Sequence, residues 1–204
     1  EMVKTVIISD GHLLQRHLGT YNPVADLKEV LKKVSKLSPD FILVAGDMFD
    51  KKKTETSDVR HPEGEEMMMQ TREIFADLQV PIYASRGNHE DERILLGLDK
   101  TVDNFHYVGD RWVKLEDVEA YFMNTRYEGE YYDEKLLETE ISQLFKDVTK
   151  RWKNRLLISH EWISDRGAIY PKSLLTKLLN QFDWIFNGHM HFYAEGHLGF
   201  KNLV

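Results

Sequence analysis

The chain has 204 residues, 42% apolar and 11% aromatic, which suits one domain with a buried core and crowds two full-sized ones. Charged residues make up 30%, as expected of a soluble surface, and the formal charge of −7 weighs against a broad basic face that wraps nucleic acid. That weight is modest, since bound divalent cations do not enter the sum, and the absence of cysteine leaves His, Asp, Glu and Asn as the metal ligands available.

Glu1 precedes Met2 and is set aside, so a single domain is expected over residues 2–204. "VKTVIIS" (3–9) reads as a buried strand that stops at "DGH". The next segment, "NPVADLKEVLKKVSKL", carries Val24, Leu27, Val30, Leu31, Val34 and Leu37 at helical spacing, with Pro23 near its start. "DFILVAGD" is a second strand running into a Gly-Asp turn. The polar stretch from Met48 to Glu66 is expected to be a loop, with a helix over "EEMMMQTREIFADL" whose methionines serve as packing filler.

"VPIYASRGNHE" is a third strand, and short strands are expected at "FHYVG", "RWVKLE" and "VEAYFMN". A helix is read over 133–152, then a strand at "NRLLISH", a helix over 171–179 starting with Pro171, and a strand at "FDWIFNGHMHF". Strands alternating with helices argue for a layered α/β domain with antiparallel additions from the middle hairpins. No apolar run is long enough to span a bilayer, and no signal-peptide pattern precedes the first strand, so a cytoplasmic location without a membrane partner is expected. The basic clusters at 50–54 and 150–155 are ordinary solvated faces unless they touch a backbone phosphate.

Five apolar runs share one feature: "VIISDGH", "ILVAGD", "YASRGNH", "LLISH" and "WIFNGHMH" each end in Asp, Asn or His. Loops beyond the carboxyl ends of strands form the usual active-site edge of an open α/β sheet. The five can therefore bring Asp10, His12, Asp47, Asn88, His89, His160, His189 and His191 to one region. Taken singly, Asp10 or Asp47 would be a cap or turn residue, Asn88 an Asx turn, and each histidine a satisfied strand-end side chain. Five repetitions of the same ligand chemistry are hard to assign to core packing.

Oxygen and imidazole donors suit two hard or borderline cations. Asp47, with two acceptor oxygens, is the natural bridge, and Asn88 offers a neutral oxygen. Two metals about 3.5–4 Å apart can activate a bridging water and stabilise the attacking and leaving oxygens of phosphoryl transfer. His89 need not be a ligand; it is suited to protonate the leaving oxygen, with Asp50 orienting its ring.

With "DGH" at 10–12, "GDMFD" at 46–50, "GNHE" at 87–90, His160 and "GHMH" at 188–191, the chain resembles a calcineurin-like metallophosphoesterase over nearly its whole length. The resemblance implies an α/β fold, a four-layer α-β-β-α sandwich with mixed sheets. It implies one metal on Asp10, His12, Asp47 and His191 and another on Asp47, Asn88, His160 and His189, with His89 as acid and Asp50 as its partner. The last block usually continues into a further strand; with the sequence ending at Val204, either the sheet is expected to lack an edge there or the chain to stop early.

"DFILVAGDMFDKK", "VPIYASRGNHE" and "FDWIFNGHMHF" also resemble the nuclease domain of Mre11/SbcD-type DNA repair proteins. By that analogy His17 is a candidate phosphate contact; His61 is a weaker one, on its place in the polar loop alone. The expected function is a phosphodiesterase cleaving a phosphodiester substrate, DNA foremost, with Mn²⁺ the leading metal and Zn²⁺, Fe²⁺ or Ni²⁺ alternatives. Departures exist: "DGHL" lacks the usual following glycine, and no accessory DNA-binding domain is expected beyond this one. A homodimer would supply missing DNA-binding surface. A small-ester phosphodiesterase or phosphatase is the alternative, and a non-catalytic module is disfavoured by the intact ligand set.

Overall fold

Apolar strands and amphipathic helices alternate through the first half of the chain, and this alternation builds a parallel sheet. The computed structural model describes residues 3–13, 22–50, 62–124, 154–160, 180–189, 196–198 and 201–203. Strands β1 (Thr5–Ile8), β2 (Phe41–Ala45), β3 (Ile82–Ser85) and β4 (Phe105–Tyr107) lie side by side in that order, each parallel to its neighbour. Parallel neighbours need a crossover, and α1 (Pro23–Lys36), α2 (Pro62–Ala76) and α3 (Glu92–Thr101) lie in the three connections.

Helix α1 begins as the sequence predicts. The Asn22 side chain accepts the Ala25 N–H, Pro23 occupies the first turn with Asp26, and Lys33 and Lys36 lie in the last turn, where they complement the helix dipole. Val24, Leu27, Leu31 and Val34 are buried, whereas Val30 and Leu37 from the expected apolar stripe are exposed. Helix α2 starts at Pro62, three residues before the expected helix start at Glu65.

The strands at 105–109, 111–116 and 118–124 were expected to form antiparallel hairpins, and for the first of them the structure differs. Helix α3 is absent from the sequence reading, yet Asp91 caps it through the Arg93 N–H and Leu95 and Leu98 bury its inner face. Because this helix returns the chain to the starting edge, β4 enters the first sheet parallel to β3.

The chain then moves to a second sheet with β5 (Arg111–Leu115), β6 (Val118–Met123), β7 (Asn154–Ser159), β8 (Trp184–Asn187), β9 (Gly196–Leu198) and β10 (Lys201–Leu203). Its order is β5-β6-β7-β8-β10-β9. The β5–β6 and β9–β10 pairs are antiparallel and the others parallel. Only this second sheet is mixed. Its expected missing edge is instead supplied by β10 and β9 beyond β8.

Alternation along β2 divides the core. Ile42 and Val44 join Leu27, Leu31, Phe75, Leu95 and Leu98 between sheet and helices, while Leu43 and Ala45 face Ala120, Phe122, Leu156 and Ile158 of the second sheet. Tyr121 and Leu157 of that sheet are buried in turn. The layers thus run helices, parallel sheet, mixed sheet, an α/β sandwich. The helices read over 133–152 and 171–179 lie outside the described residues. Among the described residues no helix is long and apolar enough to cross a membrane.

Candidate metal centre

Stacking the two sheets brings the carboxyl ends of β1, β2, β3, β7 and β8 together. Backbone bonds extend the pairing past the strands: Asp10 donates to the Gly46 carbonyl at 3.1 Å, His12 to Asp47 at 3.0 Å, and Gly188 to Ser159 at 3.2 Å. The sheets are tied by side chains as well. The Asp10 carboxylate accepts the His189 N–H at 3.0 and 3.1 Å, and His160 donates from Nδ1 to the Ala45 carbonyl at 3.1 Å.

These turns use uncommon backbone conformations. Asp10, His12, Asp47 and His189 have φ of 55°, 43°, 50° and 74°, in the left-handed region where a non-glycine residue costs about 1–3 kcal/mol unless its surroundings hold it. Gly87 is required by close approach: a Cβ there would strike the Asp47 carboxylate and lie 2.5 Å from its backbone nitrogen. Gly46, at φ 74°, packs equally close to Gly87 and the His160 side chain.

The polar atoms form overlapping groups. Asp10, His12 and Asp47 are one candidate set of metal ligands, and Asp47, His160 and His189 another; within each, one ligand atom per residue lies within 4.8 Å of the others. Asp47 belongs to both. Asn88 Oδ1 is 2.9 Å from His160 Nε2 and 3.1 Å from His189 Nδ1, so it joins the second set.

The chemistry of this set fits a cation. Donation from Nδ1 to Ala45 leaves the neutral His160 ring with a lone pair on Nε2. That nitrogen faces Asp47 Oδ2 at 2.9 Å, Asn88 Oδ1 at 2.9 Å and His189 Nδ1 at 3.2 Å. Two ligands each about 2.1 Å from one ion and at right angles stand about 3 Å apart, which is the spacing seen here.

Protons compete for the same place. Burial works against the Asp47 carboxylate, but the hydrogen bond and charge of His160 outweigh it and hold Asp47 below its ordinary range. Burial likewise opposes the His160 imidazolium, yet the bond to Asp47 and the Asp47 and Asp10 charges raise it. His189 is lowered, by burial and then by the neighbouring His160 charge. Each of Asp47 and His160 therefore favours the charged form of the other, and a cation bound between them would compete with the His160 proton.

His89 lies in a third such group, with His12 and Asp50. Its Nδ1 meets Asp50 Oδ1 at 2.8 Å and its side chain is 43% exposed, so the ring is oriented by a carboxylate and open to a ligand. Asp50 Oδ2 also lies 3.7 Å from His12 Nδ1, and the rings of His12 and His89 meet edge to face at 5.2 Å. Of the sequence-predicted residues, Asp10, His12, Asp47, Asp50, Asn88, His89, His160 and His189 are gathered in one place. His17, His61 and His191 lie outside the described residues.

Two supporting residues were not singled out from the sequence. Glu90, 4% exposed, accepts the N–H groups of Met48, Phe49 and Gly87, and burial, with the Asp47 charge adding, pushes its carboxyl up to about 7. Asn124, at the end of β6, accepts the Arg86 N–H at 2.8 Å and donates to the Tyr107 hydroxyl at 2.7 Å, bracing the same turn from the other sheet. "GNHE" held the signal for Glu90; Asn124 had none, since its partners are distant in sequence.

The family model described as calcineurin-like phosphoesterase matches residues 3–193. The chain belongs to that family. Its calcineurin-like assignment accounts for the order of the five strand-end blocks. Among curated proteins it is 28% identical to the DNA double-strand break repair protein Mre11 of Aeropyrum pernix over 51% of this chain. It is 25% identical to that of Methanocaldococcus jannaschii over 95% of this chain. It covers 26% and 50% of those two proteins, so it spans half or less of their length. A dimetal phosphatase structure from Danio rerio superposes with a TM-score of 0.65 at 11% identity, over 98% of this chain and 86% of that one, and shows the shared fold.

Proposed function

We propose that this calcineurin-like phosphoesterase is a binuclear metal-dependent phosphodiesterase that cleaves DNA, with Mn²⁺ as its working metal. The observation that carries the reading is the position of Asp47, common to two ligand groups built from five strand ends. Asp10, His12, Asp47 and His191 are assigned to one cation, and Asp47, Asn88, His160 and His189 to the other. Two cations bound there supply positive charge that polarises the phosphate and acidifies water.

The chain's own residues do the rest. His89, held by Asp50 through Nδ1, keeps Nε2 for donating a proton to the departing sugar oxygen. Asp50 fixes the orientation of the ring through that bond. The hydrogen bond from His160 Nδ1 to the Ala45 carbonyl orients that ring, and Asp10 seats the His189 backbone. His17 is assigned a contact to substrate phosphate.

The DNA assignment draws on the two Mre11 relatives. A small-ester phosphodiesterase is the second reading, favoured by the formal charge of −7, which suits a polyanion poorly. Purified protein with Mn²⁺ is incubated with labelled single- and double-stranded DNA and, in parallel, with bis(p-nitrophenyl) phosphate and nucleotide esters. DNA cleavage above an Asp47→Asn background supports the first reading. Turnover of small esters alone selects the second, and no turnover of any ester rejects both.

A further inference from the structure

Resting on the two-metal reading, we infer that Glu90 is a positioning residue that sets the distance between the turn carrying Asp47 and Asp50 and the turn carrying Asn88 and His89. Its Oε1 accepts the N–H groups of Met48 at 2.8 Å and Phe49 at 3.2 Å, and its Oε2 accepts that of Gly87 at 2.8 Å. Glu90 belongs to none of the three side-chain clusters able to hold an ion among the described residues. It sits behind them, and both its oxygens are committed to backbone.

The geometry explains why a carboxylate stands here. Three N–H donors from two turns converge on one buried side chain, and a carboxyl group, which keeps an accepting lone pair on each oxygen whether or not it is protonated, can satisfy them all. An amide of the same shape turns its NH₂ toward either Gly87 or the Met48–Phe49 pair, so one donor then faces another. Asp47 Oδ1 makes the companion strut by accepting the His89 N–H at 2.8 Å. Asp47 is itself a proposed ligand, so Glu90 is the strut that can hold the turns at ligand spacing whether or not a cation is bound. A shift of this spacing would separate Asn88 and Asp47 from His160 Nε2, now 2.9 Å from an oxygen of each.

The test compares metal-stripped wild type, Glu90→Gln and Glu90→Asp by calorimetric titration with Mn²⁺ and by hydrolysis of bis(p-nitrophenyl) phosphate at rising Mn²⁺. The Mn²⁺ Kd of Glu90→Gln is expected to rise about 10–100-fold, the range typical of groups that orient ligands. Its kcat should recover as Mn²⁺ approaches saturation, and Glu90→Asp, which keeps the acceptors but shortens the arm, should fall between. Leu31→Ala, a core change in α1, is the control: it should lower the melting temperature and leave the Mn²⁺ Kd unchanged. Wild-type affinity in Glu90→Gln, or a loss reproduced by Leu31→Ala at matched melting temperature, overturns the inference. If Glu90→Gln does not fold, Glu90→Asp is read by the same criteria. Wild type that shows no saturable Mn²⁺ binding rejects the two-metal reading itself, which separates that failure from this one.

Discussion

Asp47 and His160 belong to different sheets and lie 113 positions apart, yet Asp47 Oδ2 stands 2.9 Å from His160 Nε2, with both side chains almost wholly buried. A buried carboxylate and imidazole at this distance can share a proton or a cation, and the Asn88 oxygen beside them favours the cation. Asp47→Asn keeps the shape and removes the negative charge common to both ligand groups. Mn²⁺-dependent hydrolysis should fall more than about 100-fold, beyond the range typical of outer groups. Full activity in this variant would sink the assignment of Asp47 as the bridge.

His89→Ala should lower kcat by about 10²–10⁴-fold while Mn²⁺ stoichiometry stays at the wild-type value, because the ring belongs to the proton transfer and not to the proposed ligand set. Asp50→Asn should show a smaller loss of the same kind. Both losses should shrink for esters with acidic leaving groups, which depart without a proton. Equal losses for nitrophenyl and alkyl esters would argue against an acid role.

The metal-free protein should lose stability as pH rises. Glu90 is raised from 4.5 to about 7, so its contribution is complete below 4.5 and lost as pH climbs through 7. His160 is raised above 6.5, so its share is complete below 6.5 and lost as pH climbs through its raised value. Asp47 is lowered below 3.8, so its share is present above 3.8 and lost only in strong acid. Urea midpoints in EDTA should decline from about pH 5 to 8, a range that contains the raised Glu90 value. With Mn²⁺ present the trend should reverse, since the cation displaces the proton. A midpoint that climbs with pH in EDTA would contradict this account.

Far from the site, Arg155 is 3% exposed, donates from Nε to Glu119 at 3.1 Å and lies over the Trp112 ring. Arg155→Met should destabilise the protein by less than about 3–5 kcal/mol, the cost of breaking a fully buried pair, because Glu119 keeps 16% of its side chain exposed. Replacing Glu119 and Arg155 together by apolar residues should recover much of this loss. A double-mutant cycle in urea measures the coupling, and Mn²⁺ affinity should not move.

Local pattern made much of this legible. The runs ending in "DGH", "GDMFD", "GNHE", "ISH" and "NGH" declared both strand and ligand candidate, because apolar alternation and turn chemistry act over a few residues. Helix α3 was overlooked although Asp91, Leu95 and Leu98 supply a cap and a buried stripe. That omission alone turned β4 from a parallel strand into an expected hairpin. Strands β9 and β10 were likewise not foreseen, their three-residue lengths being too short to carry a period.

The sequence by itself determined which side chains reach strand ends and what chemistry they offer, since those properties follow from residue type and local spacing. Tertiary structure alone decided that two sheets face each other, that Asp47 meets His160, and that Glu90 and Asn124 brace the turns. These are contacts across long loops, chosen by burial of Leu43, Ala45, Phe122 and Ile158 between the sheets. Hydrophobic packing is non-directional, so no motif announces its partners. It sets the frame within which the polar ends converge.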